Sequence, residues 1–166
     1  MPEGVDFIMA HKLRTTWQLW AHLPHDTNWG LDSYIGVHTA ACAEDVVALK
    51  SAVPDKLVSS CMLFFMREAI QPIWEHPANR DGGCFSYKIS NKIVAETWWE
   101  ICMLVAGESI SADPALVKSI TGVSVSPKKG FCVVKIWMAN LAHQNPNKIE
   151  CSAKAAGCLF KRHSGD

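Results

Sequence analysis

The sequence has no net charge, no long apolar run and no secretory signal pattern, and each absence excludes a class of protein. Sixteen Lys and Arg balance sixteen Asp and Glu over 166 residues, so no overall field draws the chain to a nucleic acid or a membrane surface. Apolar runs such as Met62–Met66 are far shorter than the roughly 20 residues of a membrane span. The opening residues MPEG lack the basic and then apolar pattern of a secretory signal. Any contact with a nucleic acid must therefore be local.

Enzyme and metal signatures are also missing. The sequence contains no P-loop, no dinucleotide-binding glycine motif and no H-E-x-x-H zinc motif. Its seven cysteines include no C-x-x-C pair and show no zinc-finger spacing with histidine. We therefore expect a protein that is not an enzyme, with no catalytic residue, no metal and no cofactor. Free thiols are typical of a reducing compartment, which favours the cytoplasm, with the nucleus as a second location.

Tryptophan, in contrast, is abundant. There are seven tryptophans against six phenylalanines and two tyrosines. A buried indole needs a partner for its N–H, so a core of this size rarely takes that many. We expect some of these rings to contact a ligand.

Periodicity predicts an α+β fold in a single domain, residues 1–166, with residues 1–10 as a flexible N-terminus. No repeat or linker divides the chain. The patterns indicate, in order, a strand at 16–22, a helix at 44–53, a strand at 61–66, an irregular loop at 67–83, a strand at 84–89, a helix from Ser90 or Asn91 to about Ala106, two hairpin strands at 116–125 and 131–138, and a last helix that begins at Asn145-Pro146 and carries Phe160. This order favours an antiparallel sheet with helices on one face.

Two tryptophans lie in separate loops. Trp29 belongs to the polar segment 24–30, and Trp74 precedes Glu75 in a loop that Pro72 and Pro77 stiffen. Two indoles can clamp a planar ring, and a neighbouring carboxylate can accept two hydrogen bonds from the N1/N2 edge of guanine. The alternative is that both rings only anchor their loops.

At these residues the sequence resembles the eukaryotic translation initiation factor 4E family, which binds the mRNA 5′ cap. The matching blocks run from HKLRTTWQLW at 11–20, through DTNW at 26–29, REAIQPIWE at 67–75 and NRDGGCF at 79–85, to WWE at 98–100, GE at 107–108 and KIW at 135–137. The resemblance covers roughly residues 11–138.

The resemblance implies a curved antiparallel sheet with about three helices on its convex face and a ligand slot on its concave face. Trp29 and Trp74 would sandwich 7-methylguanine, Glu75 would bind its N1/N2 edge, and Trp137 would touch the methyl group. The implied function is binding of capped mRNA in translation initiation. A positive charge on the methylated base adds a cation–π attraction of about 2 kcal/mol, which unmethylated guanine would lose.

Phosphate binding is the first departure from the family pattern. Cys84 and Val133 stand where the family has basic residues. We expect Lys135, together with Lys128 or Lys129, to bind the phosphates less strongly, since lysine lacks the fork of arginine. The alternative is that Lys128 and Lys129 are solvated turn residues.

The partner surface is the second departure. Val47 occupies the position of the tryptophan that binds an amphipathic partner helix, and Trp99 occupies that of a leucine. We expect a convex groove of His11, Val47, Trp99, Glu100 and Met103 to take the helix of a scaffold or repressor protein, with Trp99 as the relocated anchor. The alternative places Trp99 in the core.

Three other functions remain open at this point: a cap-binding translational repressor or specialised paralogue, a nucleotide-processing enzyme, and a scaffold that binds only protein. The sequence does not decide between initiation and repression.

Overall fold

Seven strands form one antiparallel sheet. The computed structural model describes residues 10–163, so the expectation of a flexible N-terminus falls, except for Ala10, outside the described residues. The strands are β1 Lys12–His22, β2 Tyr34–Cys42, β3 Met62–Arg67, β4 Gly83–Ser90, β5 Ile120–Pro127, β6 Phe131–Met138 and β7 Leu159–Arg162. Their order across the sheet is β2-β1-β3-β5-β6-β4-β7, and all neighbours are antiparallel.

The helices lie on one side of this curved sheet, which confirms the predicted α+β class. They are α1 Ala43–Ala52, α2 Asp55–Ser60, α3 Val94–Ala106 and α4 Pro114–Ser119, with short 3-10 turns at Leu31–Ser33, Pro146–Lys148 and Ser152–Ala156. Every residue that the helical spacing assigned to the inner face of α3 is buried, namely Val94, Trp98, Ile101 and Val105. No helix within residues 10–163 has the length and apolarity to cross a membrane.

Alternation along the strands produces two apolar layers. On the convex face, Trp17 and Phe65 stack with their ring centroids 5.2 Å apart and belong to the main core under the helices. On the concave face, a smaller cluster contains Phe64, Met66, Cys84 and Trp137. Among residues 10–163, no helix covers the concave layer, and the loops that follow β1 and β3 lie beside it.

The secondary-structure prediction was wrong at residues 116–119 and after Asn145, and it did not include β2 or α2. Residues 116–119 belong to α4 rather than to a strand, because Asp113 accepts hydrogen bonds from the amides of Ala115 and Leu116 and Pro114 follows this N-cap. The helix predicted from Asn145 is a 3-10 turn, a second 3-10 turn and then β7. Asn145 does cap the first turn, but Phe160 pairs with Phe85 at the edge of β4 instead of continuing a helix.

Candidate cap-binding site

An open pocket of about 250 Å³ lies on the concave face. The four residues predicted to contact the base, Trp29, Trp74, Glu75 and Trp137, all line it. Its other lining residues are Tyr34, Met62, Phe64, Pro72 and Ile73. The indoles of Trp29 and Trp74 are 55% and 47% exposed, so neither ring serves as core filling.

The loop after β1 holds Trp29 by stacking and hydrogen bonds. The imidazole of His22 lies parallel to the indole, with centroids 4.1 Å apart and an angle of 2° between the planes. Nε2 of His22 is 2.8 Å from the carbonyl oxygen of Asn28. The side chain of Asn28 accepts from the amide of Gly30 at 2.8 Å and donates to Asp32 at 3.2 Å. Trp29 is thus fixed from its sequence neighbours and from the end of β1.

The loop between β3 and β4 holds Trp74 and Glu75, and a buried asparagine closes it. Asn79 is 0% exposed, and its amide group donates to the carbonyl of Ile73 at 2.9 Å and to that of Gln71 at 3.3 Å. Gly82 ends the loop where an added Cβ would lie 1.7 Å from the carbonyl oxygen of Met138, so only glycine fits. The loop returns tightly to the start of β4.

Trp137 forms the floor of the pocket and is 7% exposed. Its Nε1–H donates to the hydroxyl of Ser124 at 2.9 Å, and Phe64 meets its ring edge-to-face at 6.2 Å. Tyr34 lines the wall, and burial, together with the negative charge of Glu75, raises the pKa of its hydroxyl. The pocket therefore has an apolar floor and one carboxylate at its rim.

A basic groove of about 350 Å³ on β4, β5, β6 and β7 contains two of the three predicted phosphate ligands. Lys128 and Lys135 line it, together with Lys88 and Lys161, which sequence reasoning missed. The alternating pattern of β4 contained the signal for Lys88, since Cys84 and Lys88 are four residues apart and share a face. Lys129 is exposed at the hairpin tip and does not line the groove.

The convex face separates the predicted partner residues. Val47 is 55% exposed on α1, whereas Trp99 is 1% exposed and packs edge-to-face on Trp98 at 6.3 Å. This placement disagrees with the relocated-anchor hypothesis, because a partner helix cannot reach an enclosed indole. Met103 is partly buried against the core, and the carboxylate of Glu100 accepts hydrogen bonds from the amide and hydroxyl of Ser152.

His11 lies beside the start of α1. Its backbone amide donates to the carboxylate of Glu44 at 3.1 Å, and its ring nitrogen also bonds that carboxylate. The hydrogen bond from His11 is the main reason that the pKa of Glu44 is lowered to about 2. Among residues 10–163, no three His, Cys, Asp or Glu side chains are grouped so as to hold a metal ion.

Residues 12–161 match the protein family described as eukaryotic initiation factor 4E. The chain belongs to the initiation factor 4E family. Translation initiation factor 4E of Eremothecium gossypii is 27% identical over 164 residues, which cover 93% of this chain and 75% of that protein. Its counterpart in Saccharomyces cerevisiae is 27% identical over 144 residues, which cover 82% of this chain and 66% of that protein. A homolog in Acanthamoeba polyphaga mimivirus is 36% identical over 61 residues, 37% of this chain and 22% of that protein.

Solved structures of the initiation factor 4E family share the fold. The initiation factor 4E-3 of Ascaris suum, solved with the m7G cap, superposes with a TM-score of 0.77 at 19% identity and covers 95% of this chain and 94% of its own. Schistosome initiation factor 4E, solved with m7GpppG and 4E-BP, gives 0.72 at 19% identity, over 81% and 75% of the two chains. At this identity the likeness establishes the fold.

Proposed function

We propose that this member of the initiation factor 4E family binds the 7-methylguanosine cap of mRNA in its concave pocket, as a binding protein and not as an enzyme. The observation that carries the proposal is that Trp29, Trp74 and Glu75 line one open pocket although they come from two different loops. The Ascaris and schistosome relatives were solved with cap ligands, which supports the same ligand class here.

The pocket chemistry suits a flat cation with donors along one edge. The half-exposed indoles of Trp29 and Trp74 offer π-faces, and each base–aromatic stack contributes about 1–3 kcal/mol. The carboxylate of Glu75 accepts hydrogen bonds from the N1/N2 edge, each of about 1.5–3 kcal/mol because the acceptor is charged. The positive charge of the methylated base adds about 2 kcal/mol of cation–π attraction, which corresponds to roughly 30-fold in affinity.

For the phosphates, we assign Lys135 and Lys128. Lys135 lies two residues before Trp137 on β6, so both side chains project from the same face of the sheet. The charge of Lys135 also acts on His163 beside Trp137: burial first, and then this ammonium, lower the pKa of His163 to about 4. The ammonium shares the concave face with Trp137, the floor of the pocket, and we assign it to the first phosphate that would follow the sugar of a bound cap.

For the partner, we propose an amphipathic helix of a scaffold or repressor protein on the convex face, around His11 and Val47. The schistosome relative was solved with 4E-BP, and a Caenorhabditis elegans relative was solved with the 4E-binding protein Mextli. Val47 offers only a small aliphatic contact, and the enclosed Trp99 does not add an indole. The role in cytoplasmic translation is proposed from family membership.

The test is isothermal titration of 7-methyl-GTP and GTP against the wild type and three variants. Trp29→Ala, Trp74→Ala and Glu75→Gln should each weaken 7-methyl-GTP binding by about 5-fold or more, since each loses at least about 1 kcal/mol. Glu68→Gln is the matched control, because Glu68 is an exposed acid of the same loop that does not line the pocket. Equal binding of both nucleotides by the wild type, or full affinity in all three variants, would reject the proposal.

A further inference from the structure

We propose that the ion pair between Arg67 and Glu108 positions the loop after β3, which carries one indole and the carboxylate of the base pocket. It does so by holding Ala69 in a left-handed backbone conformation. The inference rests on the proposed function, because binding of 7-methyl-GTP is the property that reports the position of this loop. None of the three residues lines the base pocket, so they act through the loop and not on the ligand.

Two residues of this junction have a strained backbone. Within residues 10–163, Ala69 and Glu108 are the only residues other than glycine with a positive φ, at 62° and 55°. Residues with a side chain rarely adopt this region, because the Cβ comes too close to the backbone. Such conformations persist only where the surrounding contacts fix them. Both residues are tied to Arg67, since Glu108 is its ion-pair partner and Ala69 follows it by two residues.

The side chain of Arg67 fixes the end of β3 to its neighbours. Its Nη1 donates to the carboxylate of Glu108 at 2.7 Å, and the two side chains are only 14% and 15% exposed. The guanidinium also donates to the hydroxyl of Thr15 at 2.9 Å and to the carbonyls of Val117 and Ile120 at 3.2 and 2.9 Å. Arg67 is thus held from β1, from α4 and the start of β5, and from the turn that follows α3.

The backbone of Arg67 begins the turn that contains the left-handed residue. The amide of Glu68 donates to the carbonyl of Thr16 at 2.8 Å, which extends the pairing of β3 with β1. The amide of Ile70 then donates back to the carbonyl of Arg67 at 3.1 Å. Ala69 occupies the third position of this four-residue turn, where a positive φ is typical of glycine. Because Ile70 packs on the concave apolar cluster, the turn sets the direction in which the loop leaves the sheet.

Loss of the ion pair should release this turn. Removal of Glu108 leaves the charge of Arg67 unpaired in a partly buried place, so its side chain moves and shifts the carbonyl that closes the turn. Ala69 then relaxes to a more common conformation. The binding conformation of the loop becomes a minority state, and the apparent affinity falls with its population. Glycine at position 69 adopts a positive φ without this strain and should restore the loop.

The experiment is a double-mutant cycle between positions 69 and 108, measured by calorimetric titration of 7-methyl-GTP. Glu108→Ala keeps a Cβ at its left-handed position and removes the carboxylate, so binding should weaken about 5- to 10-fold. Ala69→Gly alone should stay within about twofold of wild type, and in combination with Glu108→Ala it should restore the affinity to within about threefold. Glu108→Gln keeps an oxygen acceptor for Arg67 and is the milder second variant, with about threefold weaker binding that Ala69→Gly also reverses.

Two matched controls test whether the recovery is specific. Ala142→Gly replaces another exposed alanine, whose φ is not positive, and should not rescue Glu108→Ala. Glu150→Ala removes the carboxylate of the exposed ion pair with Lys154 and should leave the affinity unchanged.

Three results would overturn the inference. Both Glu108 variants bind with wild-type affinity, or Ala69→Gly fails to restore binding to them, as a merely structural role of the ion pair predicts, or Ala142→Gly restores binding equally well. Each of these results leaves the proposed function intact, because the wild type still binds 7-methyl-GTP. Failure of the wild type itself to bind 7-methyl-GTP is a separate result, which rejects the proposed function and this inference with it.

Discussion

At the scale of single residues, His22 is the support of the pocket that the sequence pattern did not reveal. It is 1% exposed, stacks in parallel on Trp29 and does not line the pocket, so we infer that it covers the face of the indole turned away from the ligand. Such a stack restricts the indole to the orientation in which its other face is available. If the proposed function is correct, the end of β1 contributes to binding without touching the ligand.

Replacing His22 by alanine should weaken 7-methyl-GTP binding by about 2- to 12-fold, because a stacked aromatic pair contributes roughly 0.5–1.5 kcal/mol. His22→Phe keeps the stack and loses only the contact with the carbonyl of Asn28, so its affinity should stay within about threefold of wild type. Calorimetric titration of both variants measures the difference. Identical affinities for His22→Ala and wild type would show that Trp29 needs no support.

At the scale of elements, the loop of Trp74 depends on Asn79. The two hydrogen bonds from its buried amide group hold the carbonyls of Gln71 and Ile73, just before Trp74. Asn79→Ala leaves these carbonyls without their donor and should lower the free energy of unfolding by about 1–3 kcal/mol. It should also weaken 7-methyl-GTP binding about 10-fold, because the indole and the carboxylate are no longer fixed together.

Urea unfolding and calorimetry separate these two effects. Asn147→Ala is the control, because Asn147 is an exposed residue of the 3-10 turn Pro146–Lys148, remote from this loop. A variant that loses stability but keeps full affinity would contradict the positioning role of Asn79.

β7 should respond to acid through His163, which follows it and donates its backbone amide to the carbonyl of Gly82. Burial and Lys135 lower the folded-state pKa of His163 to about 4, below the ordinary value of about 6.5. Between these values the unfolded state binds more protons, so this contribution to stability is complete above about pH 6.5 and is lost as the pH falls towards 4.

The loss should be on the order of 2 kcal/mol, since the full shift is partly screened by solvent. His163→Phe keeps the ring against Trp137 and removes the titration. The unfolding free energy of wild type minus that of His163→Phe should therefore be lower at pH 4.5 than at pH 7. A difference that does not vary with pH would contradict the assignment.

The predicted and observed secondary structures differ most where elements meet. The inner face of α3 was predictable because its apolar spacing and its packing agree. The helix predicted from Asn145 was not formed, because the free edge of β4 takes Leu159–Arg162 as a strand and Glu100 holds Ser152 in place. The start of α4 was predictable, since Asp113-Pro114 is the same cap signal that was recognised at Asn145-Pro146. Contacts across an irregular loop, such as that of His22 with Trp29, have no signature in helix or strand spacing.

At the scale of the whole molecule, one sheet separates the two proposed binding surfaces. The concave face presents the base pocket and the basic groove, and the convex face supports the helices and Val47. Val47 is exposed and does not fill the core, so its substitution should not alter the far side of the sheet. This arrangement distinguishes a surface residue such as Val47 from an enclosed one such as Trp99.

Val47→Asp should therefore abolish binding of a helical 4E-BP peptide, the partner type solved with the schistosome relative, because it places a charge on the apolar contact. It should leave 7-methyl-GTP affinity within twofold of wild type. Trp99→Ala should instead lower the free energy of unfolding by about 3–5 kcal/mol, since it leaves a cavity beneath α3. Peptide titration, cap titration and urea unfolding of both variants test this division. A Trp99→Phe variant that keeps wild-type stability but no longer binds the peptide would contradict this division. It would show that the indole of Trp99 is an anchor and that α3 opens to admit the partner.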